Sequence, residues 1–209
     1  MGMNTMTLDH QAKSRGRGRP REFDAEAALD AALRVFSERG YNAASISELT
    51  DAMGLASGSV YKAFGDKRGI FLAAFDRYRA VRRGLLDAKL AGVETGREKL
   101  HELITFFAGS SHGEIGRQGC LVVGSAGDLA LFDEEAAERV ATAFTTDETL
   151  LADLIRLGQS DGSISADLDV SGVALALLCL TKGMRVIGKA GRSGEQMAAA
   201  AEAAMKLVT

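Results

Sequence analysis

The chain has 209 residues, enough for one or two domains with a sizeable core, and 46% of them are hydrophobic. A single proline and few alternating β-branched runs exclude a β-rich fold and predict an all-α protein. The net charge of −3 conceals a division: residues 1–90 carry 15 basic and 11 acidic side chains, residues 91–209 carry 10 and 17, so a polyanion suits only the front half.

Two distant cysteines, Cys120 and Cys179, exclude a disulfide scaffold. With His10, His101 and His112 they show no metal-ligand spacing, so no metal and no cofactor are expected. The N-terminus has no apolar signal-like run. The apolar stretch Val173 to Leu180 is short and followed by Lys182 and Arg185, so no bilayer-spanning segment is expected, and the location expected is cytoplasmic.

Residues 1–22 read as a flexible basic arm. Arg15, Arg17, Arg19 and Arg21 alternate with Gly, Pro and Ser, which leaves Met1 to Gln11 as a solvated tail. Arg17 and Arg19 are candidates to reach a DNA minor groove, a mainly electrostatic and salt-dependent contact. Asp24 caps a first helix whose inward stripe is Ala28, Leu29, Ala32, Val35 and Phe36. Gly40 stops it and Tyr41 packs the corner.

The stretch SISELTDAMGLASGSVYKAFG, residues 45–64 and the following glycine, organises the chain. Ser45 and Glu48 form a capping box, and Ile46, Leu49 and Met53 give one apolar face. Gly54 ends this helix in the left-handed region and Leu55 plugs the turn. Ser57 is expected to cap a second short helix, Gly58 to Phe64, with Val60 and Phe64 inward and Ser59, Tyr61 and Lys62 outward. That order predicts a helix-turn-helix whose second helix enters the major groove, its small first residues allowing close approach. The competing reading is an ordinary helical hairpin. Asp66 caps the next helix, and Lys67 in its first turn is a phosphate candidate despite opposing the helix dipole. The candidate DNA-binding residues are thus Arg17, Arg19, Ser45, Ser57, Gly58, Ser59, Tyr61, Lys62 and Lys67.

Residues 19–75 resemble the N-terminal domain of the TetR family of bacterial transcriptional regulators. Ala32, Phe36, Gly40, Tyr41, Ser45, Ile46, Leu49, Gly54, Gly58, Ser59, Tyr61, Phe64, Lys67 and Phe71 carry the resemblance. It implies a small-molecule pocket in the rest of the chain and a twofold dimer through the last two helices. The sequence shows no nucleophile–base pair, phosphate loop or metal motif, so no enzymatic role is expected.

The helix from Asp66 is expected to run on through Ile70, Phe71, Ala74, Phe75, Tyr78, Val81, Leu85 and Leu86 as a link from head to body. Gly92 to Gly96 breaks it, and Thr95 with Glu98 opens a helix through Leu100, Leu103, Ile104, Phe106 and Phe107. Residues 109–118 read as a loop, and Gly119 to Phe132 as a buried or bent helix. Asp133 caps a long helix carrying Ala137, Val140, Phe144, Leu151, Leu154, Ile155 and Leu157, and Gly158 to Ser165 reads as a turn. Asp169 opens a helix through Val173, Leu177, Leu180, Met184 and Ile187, and Ser193 with Gln196 caps a final Ala-rich helix. These last two are apolar almost all round, with Ala198, Ala199, Ala201, Ala203 and Ala204 permitting close approach to a second copy.

The domains expected are the arm 1–22, a helix-turn-helix domain 23–66 with the linker helix from 66, and a ligand-binding and dimerisation domain 67–209. Candidate pocket residues are Phe75, Tyr78, Phe106, Phe107, Cys120, Val123, Phe144 and Met184, all equally suited to plain core. Cys120 is also a candidate redox or electrophile sensor, with Lys182 or Arg117 as a helping cation; a buried, inert thiol is the alternative. Cys179 reads as core, and His101 and His112 as surface. The expected function is a sequence-specific homodimeric repressor, released from palindromic operator DNA by a small molecule or by cysteine modification. A non-specific DNA-organising protein and a small all-α enzyme stand as alternatives.

Overall fold

A computed structural model describes residues 24–128 and 133–209. The described residues form α-helices, one short 3-10 turn at Lys206–Val208 and no strand. The helices are α1 (Ala25–Ala43), α2 (Ile46–Met53), α3 (Ser57–Phe64), α4 (Lys67–Leu90), α5 (Gly96–Gly109), α6 (Gly113–Gln118), α7 (Leu121–Ala126), α8 (Glu134–Asp161), α9 (Val170–Gly188) and α10 (Gly194–Met205).

Local side-chain chemistry sets most starts. Asp24, Asp66, Asp133 and Asp169 accept backbone N–H bonds at the heads of α1, α4, α8 and α9. Full capping boxes stand at Ser45–Glu48, Thr95–Glu98 and Ser193–Gln196. α3 departs from expectation: it begins at Ser57, Ala56 is the cap residue, and no side chain caps it. Gly40 is a kink (φ 77°), after which one further turn carries α1 to Ala43.

Two hydrophobic clusters hold the molecule. The first joins Ala28, Ala32 and Phe36 of α1, Leu49, Met53 and Val60 of the hairpin, and Ile70, Phe71 and Phe75 of α4; it continues into Leu121, Val122, Ala136 and Val140. Phe71 is its centre, edge-on to Phe36 at 5.1 Å and to Tyr41 at 5.2 Å. The second joins the far end of α4 with α5, α8, α9 and α10 through Leu100, Ile104, Leu151, Ile155, Leu177 and Met197. Phe144 packs against both.

Several expectations of facing are corrected. Val81 and Leu85 of α4, Leu157 of α8, and Leu180 and Ile187 of α9 are exposed. Each lies on the side of a long helix that covers no neighbour, so periodicity finds the helix but not its inner face. Ala136, not Ala137, is buried on α8. Residues 113–118 are helical, where the sequence predicts a loop. Gly158 is no turn: α8 continues to Asp161, and Gly158 is buried where α5 crosses it. A Cβ at Gly96 would stand 2.0 Å from the Gly158 nitrogen, so this crossing requires glycine. Cys179 is exposed, not core. Finally, α9 is long and apolar enough by length and composition to cross a membrane, because Lys182 and Arg185 do not interrupt it. Its inner face is packed into the second cluster through Ala174, Leu177, Leu178 and Met184.

Candidate DNA-binding face and interior cavity

The hairpin is held from beneath and open above. Glu48 accepts the Ser45 N–H at 3.0 Å while the Ser45 hydroxyl oxygen accepts the Glu48 N–H at 3.1 Å. The Ser45 backbone and hydroxyl hold the Glu48 carboxyl below its ordinary value. Gly54 takes φ 64° and turns the chain, and the Leu55 N–H bonds back to the Thr50 carbonyl at 3.1 Å. Leu49 and Val60 are buried and fix α2 and α3 to the head. Ser45, Ser57, Gly58, Ser59, Tyr61 and Lys62 are all exposed. The hairpin therefore presents the sequence-derived candidates to solvent on a rigid base. Arg17 and Arg19 lie outside the described residues.

Lys67 sits in the first turn of α4, where the Asp66 carboxylate accepts the Gly69 N–H at 2.8 Å. Its ammonium donates to the Asn42 carbonyl at 3.2 Å and lies 4.6 Å from the Tyr41 ring centre. In this state Lys67 fastens α4 to the end of α1.

α4 is also tied to its other neighbours by charge. Arg77 donates from Nε to Asp30 at 2.6 Å and from Nη1 contacts Glu26 at 3.0 Å, both on α1. Arg68 pairs with Asp133 and with Glu135, the latter at 2.6 Å, and Arg139 reaches Asp76 at 3.2 Å, which ties α4 to α8. The Arg68 bonds hold the Asp133 and Glu135 carboxyls below their ordinary values.

Between head and body lies a cavity of about 320 Å³. Phe36 and Tyr41 of α1, Phe71 of α4, Leu121 and Val123 of α7 and Arg185 of α9 supply walls, with Cys120 at the rim of α7. A narrower groove shares Cys120 and adds Tyr78, Arg82, Phe106, Phe107 and Lys182. Of the expected pocket residues, Tyr78, Phe106, Phe107, Cys120 and Val123 line one or the other. Phe75 and Met184 are core, and Phe144 packs between the clusters; none of the three lines either space.

Cys120 is half-buried and sits beside the Tyr78 hydroxyl, which donates to Sγ at 3.5 Å. Burial pushes the thiol up. The Tyr78 bond, the Val123 N–H and the charges of Arg185 and Lys182 outweigh it, so the thiol lies below its ordinary value. Burial, then the neighbouring thiol, pushes Tyr78 up. The cations near Cys120 are Lys182 and Arg185, not Arg117. Lys182 pairs with Asp147, which Arg79 also contacts at 2.9 Å. Arg82 has no such carboxylate: it donates to the Ser110 hydroxyl at 3.0 Å and lies 4.4 Å from the Phe106 ring centre, and burial pulls its pKa down.

Sequence reasoning missed Arg185 and the α1 wall of the cavity. One signal was present. Arg185 falls on the same helical stripe as Ala174, Leu177, Leu178 and Thr181, a cation in register with a buried face.

A helix-turn-helix head stitched to an all-helical body is the architecture of a DNA-binding transcriptional regulator. Residues 28–74 match the family described as bacterial regulatory proteins, tetR family, and residues 96–204 the tetracyclin repressor-like C-terminal domain. The chain belongs to the TetR family of helix-turn-helix, DNA-binding transcriptional repressors. It is 28% identical to the HTH-type transcriptional repressor ComR of Escherichia coli (strain K12) over 94% of each chain. It is 30% identical to the transcriptional regulator AcuR of Cereibacter sphaeroides over 77% of this chain and 76% of that one. Among solved structures, the TetR family regulator CifR, as a cysteine mutant with 26-base-pair operator DNA, superposes with a TM-score of 0.79 at 31% identity, covering 90% of this chain and 98% of CifR.

Proposed function

We propose that this repressor acts as a cytoplasmic homodimer on a palindromic operator and is released by a small molecule or by modification of Cys120. The observation that carries the DNA reading is the hairpin: Leu49 and Val60 are buried while Ser57, Gly58, Ser59, Tyr61 and Lys62 stand exposed on the following helix. The start of α3 has no side-chain cap and the Ser59 N–H is held by the Ala56 carbonyl, so the Ser57 and Gly58 amides are the ones available to a phosphate. Tyr61 and Lys62 supply a hydroxyl and a cation beside it. Ser45 and Lys67 are proposed as further DNA contacts, and Arg17 and Arg19, outside the described residues, as candidates for the minor groove. Lys67 exchanges its Asn42 contact for a phosphate on binding.

What supports the dimer is the outer face of α9. Leu175, Cys179, Leu180, Val186 and Ile187 are exposed on adjoining helical positions, and Ala198, Ala199 and Ala203 of α10 are exposed with them. A contiguous apolar stripe of that kind marks an interface. What supports an effector is the cavity that touches both α1 and α9, with Cys120 and its lowered thiol at the edge.

Tyr61→Ala and Lys62→Ala test the recognition helix. Both are expected to weaken operator binding with helicity and oligomeric mass unchanged, and Lys62→Ala should reduce the salt slope of binding by about one phosphate contact. Unchanged binding in both variants would remove α3 from the DNA interface.

A further inference from the structure

Arg185 is the one charged side chain that is fully buried among the described residues, at 2% exposure. A buried cation is costly unless an anion or several hydrogen bonds compensate it. Arg185 has one such bond, from Nη2 to the Gly119 carbonyl. Nε and Nη1, which carry three of the guanidinium's five N–H donors, have no partner.

Among the described residues no carboxylate pairs with Arg185, and those of the surrounding network are committed elsewhere. Asp147 is taken by Arg79 and Lys182, and Asp128, across the cavity, accepts from the Asn42 amide. Arg185 and Lys189 both line the cavity against this one carboxylate, and Arg82, in the adjoining groove, also lacks a carboxylate. The described wall of the cavity thus carries one more cation than carboxylate, with Arg185 buried and Lys189 at the exposed edge. Phe36, Phe71, Leu121 and Val123 give the cavity an apolar side, next to the uncharged polar side chains of Ser37, Tyr41, Gln118 and Ser125. Its volume, about 320 Å³, sits at the lower end of small-molecule pockets.

We propose that the cavity between α1, α7 and α9 is a binding site for a small organic carboxylate, its anionic head on Arg185 and its apolar remainder against Phe36, Phe71, Leu121 and Val123. This site deepens the effector reading above and rests on it. The single excess charge within the cavity fits a monoanion better than a phosphate dianion, which needs more donors. A bound carboxylate contacts the head through α1 and the body through α7 and α9. It therefore favours one placement of the head, which is what effector control of DNA affinity requires.

The test needs no DNA, so its failure is separable from failure of the operator reading. The wild-type full chain is heated with sodium benzoate or hexanoate, and with benzamide or hexanamide at equal ionic strength. The carboxylates are expected to raise the unfolding midpoint and the amides not. Arg185→Met and Arg185→Gln, checked for helicity by circular dichroism, should abolish the difference.

A second measurement uses two reagents of one chemistry. The Cys120 thiolate attacks the methylene of iodoacetate or iodoacetamide, the C–S bond forms, the C–I bond breaks and iodide leaves. The iodoacetate-to-iodoacetamide rate ratio, read at the Cys120 peptide of the wild-type chain, should exceed that of glutathione by about tenfold, the preference one charge contact supplies, and fall to the glutathione ratio in Arg185→Met. A carboxylate-specific midpoint shift with Cys120 unreactive toward both reagents would support the anion site and overturn the cysteine-sensor reading alone. No carboxylate-specific shift, or a shift that persists in both Arg185 variants, would overturn the site.

Discussion

A methyl group added at Gly58 would meet nothing within 4 Å, whereas one added at Gly96 would collide with the Gly158 backbone and the Leu154 carbonyl. The two glycines therefore answer to different demands. Gly96→Ala must push α5 from α8 and is expected to cost at least about 1–3 kcal/mol in urea unfolding at fixed protein concentration. Gly58→Leu should leave the unfolding midpoint unchanged and yet block close approach to DNA, abolishing operator binding. A destabilised Gly58→Leu would place that residue in the fold rather than at the DNA face. Carboxylates at the helix heads set the acid response. Glu48 and Glu98 are lowered mainly by the backbone N–H bonds of Ser45 and Thr95, and Asp133 mainly by Arg68. Folded values below the ordinary 4.5 and 3.8 mean that their contribution is complete above those values and is lost as pH falls through the folded ones. The urea midpoint should accordingly be flat from about pH 7 to 5 and drop below about pH 4. Ser45→Ala and Thr95→Ala should each cost about 0.5–2 kcal/mol at neutral pH and flatten that drop. Equal acid sensitivity in these variants would contradict the assignment.

At the scale of the helix, α9 has one buried face and one exposed apolar face, the second proposed as the dimer contact. Its inner stripe reaches Met184 and Arg185, and its outer stripe leaves Leu175, Cys179, Leu180 and Ile187 exposed. Leu175→Glu with Leu180→Glu is expected to halve the solution mass measured by sedimentation while leaving helicity intact; a mass unchanged from wild type would move the dimer contact elsewhere. The same helix shows where sequence stops being legible. Its start at Asp169, like those at Ser45, Thr95, Asp133 and Ser193, is written in adjacent residues, so each is readable. Its facing is not, because a helix apolar on both sides offers no contrast, and periodicity alone turns Leu180, Ile187 and Cys179 inward. α6 is hidden for a related reason. Gly113 and Gly116 argue locally for a loop, but Gly116 packs against the Ser111 backbone and close to the Gly188 carbonyl of α9, a neighbour that the local sequence does not reveal. The cavity is legible only in part: Cys120 and Val123 lie in one apolar run, whereas Phe36 and Arg185 meet across 149 positions and only the fold joins them.

Across the molecule, α4 carries the mechanical connection. Arg77 fixes it to α1, Arg68 and Asp76 fix it to α8, and Phe71 and Phe75 place its first turns inside the head's core. The cavity lies beside this connection, with walls from head and body alike. In the proposed reading an occupant shifts the head relative to the body and, in the proposed dimer, changes the separation of the two α3 helices. Operators read by paired helix-turn-helix heads have half-sites about one helical turn, roughly 34 Å, apart or a multiple of it. The most direct test is selection of bound duplexes from a random DNA library at near-physiological salt. The account predicts an enriched inverted repeat with that half-site spacing. Binding with no enriched sequence would contradict it and favour a DNA-organising role.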